Sequence, residues 1–233
     1  MLSVSHYTIT DKRIKKSATF AMIADLHNAE YGDKNEKLIK EIKKIAPDAV
    51  LIAGDVIVGK KDVSPGVAID LLQKLGSEFP VYISKGNHEM RTGLYTEQYG
   101  DIWECLYEQT KDYAHWLINE KATLASDNIQ IVGLDIDAAY YRRFRLQKME
   151  TDYLVKLLPT RHQDAYTILL AHNPDYFPVY AEWGADLVLS GHVHGGMVIL
   201  PVLGGVVSPM VRLFPKYYRG MYECRNKKMI LTG

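Results

Sequence analysis

The chain has 233 residues, of which 47% are hydrophobic and 24% are charged, a composition that favours one globular domain and excludes a disordered or collagen-like polymer. Its 28 Lys and Arg residues balance 28 Asp and Glu residues, which excludes a polyanion-binding tail and predicts no nucleic-acid partner. Two cysteines, Cys105 and Cys224, are too few for a disulfide framework. Residues 1–16 lack the apolar core of an export signal, and no stretch reaches the roughly 18 apolar residues of a membrane span. We therefore expect a soluble, cytoplasmic protein.

Short apolar runs alternate with amphipathic helical patterns along the chain, the order typical of α/β layering. A helix is predicted where apolar residues recur at helical spacing, and a strand where a short apolar run is flanked by turn residues. In chain order, the predicted elements are a strand at 18–24, a helix at 36–45, a strand at 49–53, a helix at 67–75, strands at 81–84 and 129–134, a helix at about 150–158, and strands at 166–171 and 186–190. No repeat or linker divides the sequence, so we predict a single domain over 1–233.

Two segments depart from this alternation. Residues 90–128 are longer than a strand-to-strand crossover needs, and we interpret them as a helical insertion of one or two helices over the sheet edge. The aromatic residues near helical spacing in this insertion are Tyr99, Trp103, Tyr107, Tyr113 and Trp116. Residues 195–211 carry no charge but hold four Gly and two Pro, so strands joined by turns, or an apolar loop, are predicted there. The sequence ends directly after the strand-like residues 229–231, from which we expect an incomplete C-terminus.

Carboxylate, amide and imidazole side chains collect where the predicted strands end. In the order of the strands, they are Asp25 and His27, then Asp55, then Asn87 and His88, then His172, and finally His192 and His194. The carboxyl ends of strands in an open α/β sheet face one crevice, so these residues can converge on one site. Glycines at 54, 86 and 191 permit the tight turns and close backbone approach that a crowded site requires.

This set of side chains is suited to two cations. It divides into Asp25, His27 and His194 for one cation, and Asn87, His172 and His192 for the other, with Asp55 placed to bridge both. Oxygen and nitrogen donors without thiolate suit Mn²⁺, Fe or Zn²⁺ better than a soft metal or an iron–sulfur cluster. We therefore predict two divalent metal ions, with Mn²⁺ as the first choice.

The ordered blocks carry a family resemblance. The blocks Asp25-x-His27, Gly54-Asp55, Gly86-Asn87-His88-Glu89, His172 and Gly191-His192-x-His194 resemble those of the calcineurin-like metallophosphoesterases, over about residues 20 to 195. The resemblance implies a four-layer α/β/β/α sandwich and a two-metal phosphoesterase site with the ligands divided as above. It also implies that His88 is a catalytic residue beside the scissile phosphate, which donates a proton or a hydrogen bond to the leaving oxygen. A hydroxide held between the metals would attack the phosphorus of the phosphoester substrate.

Departures from subfamily patterns favour a phosphodiesterase. Protein Ser/Thr phosphatases read Gly-Asp-x-x-Asp-Arg-Gly in the second block, whereas residues 54–60 read Gly-Asp-Val-Ile-Val-Gly-Lys. The Arg that would hold phosphate and the Asp that would orient His88 are therefore missing from that block, and Val58 stands where purple acid phosphatases carry a ligating Tyr. The pattern is similar to the bacterial phosphodiesterase branch, which includes UDP-diacylglucosamine pyrophosphatases, although Met197 replaces the Gln that usually ends the last block.

The sequence is also compatible with other functions and with other roles for two of its segments. A phosphomonoesterase acting on nucleotides or proteins is one alternative, and a non-catalytic metal-binding scaffold is another. Arg142, Arg143 and Arg145 can grip an anionic substrate group, or can form a solvated face. Residues 195–211 begin directly after His194 and form either buried strands or a peripheral contact with a membrane or lipid. The natural substrate and the oligomeric state are not predicted.

Overall fold

The computed structural model describes residues 2–124, 128–142, 147–193, 198–200, 204–207 and 216–232, with the main chain alone at 198–200 and 204–207. The α-helices within these ranges are α1 (Glu36–Ile45), α2 (Gly66–Gly76), α3 (Asn87–Leu94), α4 (Thr96–Tyr99), α5 (Ile102–Thr110), α6 (Thr151–Leu157) and α7 (Phe177–Trp183). The strands are β1 (Phe20–Ile23), β2 (Ala49–Ala53), β3 (Val81–Ser84), β4 (His115–Trp116), β5 (Lys121–Leu124), β6 (Ile129–Leu134), β7 (Tyr166–Ala171), β8 (Leu187–Ser190), β9 (Val198–Leu200), β10 (Gly204–Val207), β11 (Gly220–Cys224) and β12 (Lys227–Leu231).

Most of the strands form two sheets. The first sheet has the order β1-β2-β3-β4, and every pairing in it is parallel. The second has the order β11-β12-β8-β7-β6-β5, in which β12, β8, β7 and β6 are parallel and the edge strands β11 and β5 are antiparallel to their neighbours. Strands β9 and β10 pair antiparallel with each other. This pairing confirms the prediction of strands within 195–211, and the rest of that segment lies outside the described residues.

Buried apolar side chains fill three spaces between layers. Alternate residues of β2 face opposite ways: Val50 packs with the helices α1, α2 and α5, whereas Leu51 packs between the two sheets. The helical side of the first sheet includes Leu72, and the helices α6 and α7 cover the far side of the second sheet with residues such as Phe177. Strands buried on both faces explain the unbroken apolar runs in the sequence. The stacking confirms the predicted four-layer α/β/β/α sandwich.

The predicted bounds agree with the structure for α1, β2, β3, β6 and β7, and those of the other predicted elements differ by one or two residues. The helical prediction for 90–128 is wrong beyond Thr110. There Trp116 lies in β4, paired with Ile83 of β3, and β5 pairs with β6. Pairing between strands far apart in sequence is a tertiary contact that local residue spacing does not reveal.

Helix α7 was not predicted from the sequence, although its buried residues Phe177, Tyr180 and Ala181 lie at the i, i+3, i+4 spacing of an amphipathic helix. The sequence held two further signals for it. Pro178 lies in the first turn, and Gly184 ends the helix with a φ of 110°, a conformation that glycine adopts without strain. Among the described residues, no helix combines the length and the apolar character needed to cross a bilayer.

Candidate metal centre

The loops that follow β1, β2 and β3 of the first sheet meet those that follow β7 and β8 of the second. Within each sheet, main-chain hydrogen bonds join neighbouring loops: Asp25 N–H donates to the carbonyl of Gly54 at 3.2 Å, and Gly191 N–H donates to that of His172 at 3.1 Å. Between the sheets, the main-chain N–H of His192 donates to Oδ2 of Asp25 at 2.8 Å. The strand ends of both sheets therefore build one site.

Asp55 lies at the centre of this site. Its Oδ2 is 3.0 Å from Nε2 of His172, 3.8 Å from Nε2 of His27 and 3.9 Å from Nε2 of His88. Oδ1 of Asp25 is 3.7 Å from Nε2 of His27 and 3.8 Å from Nε2 of His172. Burial opposes ionisation of Asp55, but the charges of the surrounding imidazoles hold its pKa well below the usual range. Asp55 is thus a buried carboxylate that faces three imidazoles.

Two sets of potential ligand atoms share Asp55. One set adds His27 and His88, the other adds His172 and His192, and the donor atoms within each set lie within 4.8 Å of one another. A carboxylate that bridges two cations must lie within reach of both donor sets, and Asp55 meets this requirement.

The main chain orients two of the imidazoles. Nδ1 of His172 lies 2.7 Å from the carbonyl of Ala53, and Nδ1 of His27 lies 3.3 Å from that of Ile57. A carbonyl oxygen only accepts, so the ring proton of each neutral imidazole belongs on Nδ1 and the lone pair on Nε2. This is the arrangement in which a histidine coordinates a metal through Nε2.

The residues present fit divalent cations. Oδ1 of Asn87 is buried and receives no hydrogen bond from the described residues, so its lone pairs are available to a cation. The described donors around Asp55 are carboxylate and amide oxygens and imidazole nitrogens, a set that suits Mn²⁺, Fe or Zn²⁺. His194, predicted to complete the first site, lies outside the described residues.

Several residues of the site have left-handed backbone conformations. The φ angles are 56° at Asp25, 48° at His27, 54° at Asp55 and 76° at His192. Such conformations are costly for residues other than glycine, and they persist only where the surroundings impose them. Here His27 N–H donates to the carbonyl of Asp55 at 3.0 Å, so the strained loops after β1 and β2 hold each other in place.

A sequence model of the calcineurin-like phosphoesterases matches residues 18–196, a span that holds all of the predicted ligands. The chain belongs to the calcineurin-like phosphoesterase family. The fold agrees: a solved structure titled a putative 5′-nucleotidase, from Staphylococcus aureus, matches with a TM-score of 0.53 at 12% identity, covering 92% of this chain and 48% of that one.

Curated relatives in this family differ in what is known of them. An uncharacterized metallophosphoesterase of Campylobacter jejuni is 28% identical, over 94% of this chain and 54% of its own length. Phosphodiesterase YaeI of Escherichia coli is 28% identical, over 70% of this chain and 55% of its own length. UDP-2,3-diacylglucosamine pyrophosphatase LpxG of Chlamydia trachomatis is 26% identical, over 77% of this chain and 64% of its own length. The chain therefore spans little more than half the length of the first two of these relatives.

Glu89 is a residue of this calcineurin-like site to which the sequence assigned no role. It is fully buried, and its carboxyl group accepts the main-chain N–H groups of Asp55 at 2.8 Å, Gly86 at 2.8 Å and Ile57 at 3.1 Å. Burial, and then the charge of Asp55, raises the pKa of Glu89 to about 7. Its position as the third residue of α3, after Gly86, was an available capping signal.

His88 lies beside the proposed ligands. Its ring contacts that of His27 edge-on, with the centroids 4.7 Å apart, and its main-chain N–H donates to Oδ1 of Asp55 at 2.8 Å. Burial lowers the pKa of His88 to about 4. The ring is therefore neutral at physiological pH.

The predicted arginine cluster is described only in part. Arg142 is exposed, and Arg143 and Arg145 lie outside the described residues. Tyr141 precedes them, and its ring centroid lies 5.5 Å from that of His192 and 6.3 Å from that of His172. Burial raises the pKa of Tyr141 well above the usual range, so its hydroxyl stays protonated at the edge of the site.

Proposed function

We propose that the protein is a two-metal phosphodiesterase. The observation that carries the proposal is Asp55, a buried carboxylate whose Oδ2 lies 3.8 Å from Nε2 of His27 and 3.0 Å from Nε2 of His172, one proposed ligand of each cation. Two divalent cations, Mn²⁺ in this proposal, supply an activated water as nucleophile and neutralise charge on the phosphoryl oxygens when bound. Asp25, His27 and His194 would hold one cation, Asn87, His172 and His192 would hold the other, and Asp55 would serve both.

The protein's own contribution is to fix these groups before the substrate arrives. The carbonyls of Ala53 and Ile57 hold His172 and His27 with Nε2 toward Asp55. Glu89 holds the loop that carries Asp55 through three main-chain bonds. Pre-positioned charge of this kind needs no rearrangement during the reaction, which is how electrostatic catalysis gains its effect.

The preference for a diester rests on the loop after β2. A phosphomonoester carries a dianionic phosphoryl group that an arginine clamps in a bidentate fork, and residues 56–60 contain no arginine. Two relatives support the same class, because one is named a phosphodiesterase and another a pyrophosphatase that acts on UDP-2,3-diacylglucosamine. In the proposal, Arg142, Arg143 and Arg145 contact the remaining anionic part of the substrate.

The location of the enzyme is part of the proposal. Cys105 and Cys224 are unpaired, which suits the reducing conditions of the cytoplasm.

A peripheral lipid contact through 195–211 would place the site beside a membrane surface. Replacing Val202 and Leu203 with Ser tests this contact. Liposome binding should fall while hydrolysis of a water-soluble diester persists, and equal loss of both would contradict the lipid contact.

The direct test compares two chromogenic substrates. Protein loaded with Mn²⁺ should hydrolyse bis(p-nitrophenyl) phosphate faster than p-nitrophenyl phosphate, after each rate is corrected for the intrinsic reactivity of the ester. Asp55→Asn is the control, because it should abolish both activities. A clear monoester preference would restore the phosphomonoesterase alternative, and metal binding without turnover of any phosphoester would favour a scaffold.

A further inference from the structure

The Nδ1 atom of His88 receives two hydrogen bonds. The main-chain N–H of Gly59 lies 2.6 Å from it, and Nη2 of Arg91 lies 3.1 Å from it. Both groups can only donate, so Nδ1 must accept through its lone pair. An Nδ1 that accepts from two donors carries no proton, so the ring proton of His88 lies on Nε2, the atom that faces Oδ2 of Asp55 at 3.9 Å.

His88 is thereby the opposite tautomer to its neighbours. In their neutral forms, His27 and His172 carry the proton on Nδ1, against a carbonyl oxygen, and turn the Nε2 lone pair toward the centre of the site, whereas His88 turns an N–H there. By distance alone, His88 belongs to a donor set with His27 and Asp55. A protonated nitrogen has no lone pair for a metal, so the hydrogen bonds exclude His88 as a ligand and leave it as a donor.

Arg91 contacts both His88 and Gly59. It lies three residues after His88 in α3, and the same Nη2 that contacts His88 also donates to the carbonyl of Gly59 at 3.1 Å. Its guanidinium lies over the ring of Tyr99, 5.6 Å from the centroid. Space around Gly59 is tight, because a Cβ there would lie 3.2 Å from Nη2 of Arg91 and 3.3 Å from Nδ1 of His88.

We propose that Arg91, together with the main-chain N–H of Gly59, holds His88 as the neutral Nε2–H tautomer, so that His88 donates a hydrogen bond to the leaving oxygen of the phosphoester. Arg91 is then a positioning residue that acts through His88, in a place where the second block lacks an orienting aspartate. No proton leaves the ring, since loss of the Nε2 proton from neutral imidazole would leave an anion, and the leaving oxygen takes its proton from solvent. The inference rests on the proposed phosphodiesterase function.

The tautomer of His88 can be determined without an assay of enzyme activity. In protein labelled with ¹⁵N at histidine and loaded with diamagnetic Zn²⁺, two-bond ¹H–¹⁵N spectra distinguish protonated, unprotonated and metal-bound ring nitrogens, and loss of signals in His88→Gln assigns them. We expect an unprotonated Nδ1 and a protonated Nε2. A proton on Nδ1, or a Zn²⁺-bound Nε2, would overturn the proposal even if the wild type proved to hydrolyse no phosphodiester, an outcome that by itself contradicts only the proposed function.

A kinetic double-mutant cycle tests the role of Arg91. His88→Ala should lower kcat by about 10²–10³-fold, as for loss of one preorganised donor, and Arg91→Met by about tenfold, as for loss of one hydrogen bond to the ring. Neither should change KM or metal content, and Arg91→Lys, which still offers a donor, should restore much of kcat. In the His88→Ala background, Arg91→Met should have no further effect.

Two comparisons complete this test. Lys60→Met removes a positive charge from an exposed side chain next to Gly59 and should leave kcat unchanged. His88→Gln keeps an N–H donor but cannot transfer a proton, so it should retain more activity than His88→Ala. An equal loss from Arg91→Met in both backgrounds, or no advantage of Gln over Ala at position 88, would overturn the proposal.

Discussion

The main-chain N–H of Asp55 donates a 2.8 Å hydrogen bond to Oε2 of Glu89, whose side chain is fully buried. The same Glu89 oxygen accepts from Gly86 at 2.8 Å, and Oε1 accepts from Ile57 at 3.1 Å. One side chain at the start of α3 thus ties the loop after β2 to the loop after β3. These bonds help to hold the left-handed φ of 54° at Asp55, a conformation that persists only where the surroundings impose it.

Removing Glu89 should therefore damage both stability and metal binding. Glu89→Ala leaves three buried N–H groups without their acceptor, and each such group costs about 1–3 kcal/mol. We expect a large fall in the free energy of unfolding in urea, and metal affinity lower by about 10–100-fold, as is typical when an outer residue of a metal site is lost. Glu89→Gln keeps one acceptor oxygen and should have the smaller effect. Normal metal affinity in a folded Glu89→Ala variant would contradict the role assigned to it.

Asp55→Asn should weaken both cation sites, because this carboxylate is proposed to be shared between them. The matched variant is Asp25→Asn, which removes a carboxylate proposed to serve one cation only. Elemental analysis after dialysis should show loss of both metals in the first variant and of about one in the second. Retention of one tightly bound metal in Asp55→Asn would show that Asp55 is not a bridge.

Gly191→Ala should disturb the site by steric overlap alone. A Cβ at this position would lie 2.6 Å from Oδ2 of Asp25, closer than a real Cβ contact, so the carboxylate must move. We expect reduced metal occupancy with an unchanged far-ultraviolet circular dichroism spectrum. Gly66→Ala, at the first residue of α2, where the nearest atom to a Cβ is Oγ of Ser64 at 3.3 Å, is the control and should keep full occupancy. Full occupancy in Gly191→Ala would show that the close approach is unimportant.

A cluster remote from the site should make stability depend on acid pH. Nη2 of Arg13 lies 2.8 Å from Oδ2 of Asp11 and 2.9 Å from Oδ1 of the buried Asp186, which Lys227 also contacts at 2.6 Å. The hydrogen bond from Arg13 lowers the pKa of Asp11 to about 2. Burial acts to raise the pKa of Asp186, but hydrogen bonds from Arg13 and Lys227 lower it overall.

A carboxyl group whose pKa is lowered by folding stabilises the fold above its unfolded pKa of about 4, and that stabilisation is lost as pH falls through the folded pKa. Arg13→Met should therefore lower the free energy of unfolding at pH 7 by roughly 2 kcal/mol, and the difference from wild type should shrink between pH 4 and pH 2. Lys12→Met, which changes an exposed neighbour, is the control. A difference that stays constant down to pH 2 would show that Arg13 acts through packing and not through its ion pairs.

The sequence by itself determined the layered α/β class and the placement of the site. Buried strands such as β2 and β7 appear as unbroken apolar runs, and the amphipathic spacing of α1 has its stop signal in Pro47. Polar residues that directly follow such runs must lie at the carboxyl ends of strands. Local pattern is sufficient for these features because each depends on residues that are neighbours along the chain.

Tertiary structure alone decided the features that depend on contacts between distant residues. Trp116 lies in a strand because it pairs with β3, and Glu89 has its role because the loop after β2 turns its N–H groups toward it. The tautomer of His88 was likewise not readable from the motif, since it depends on a main-chain N–H 29 residues away. Hydrogen bonds between separate segments form only when the sheets and helices have packed, so the chemistry of each imidazole follows from the fold and not from its position in the sequence.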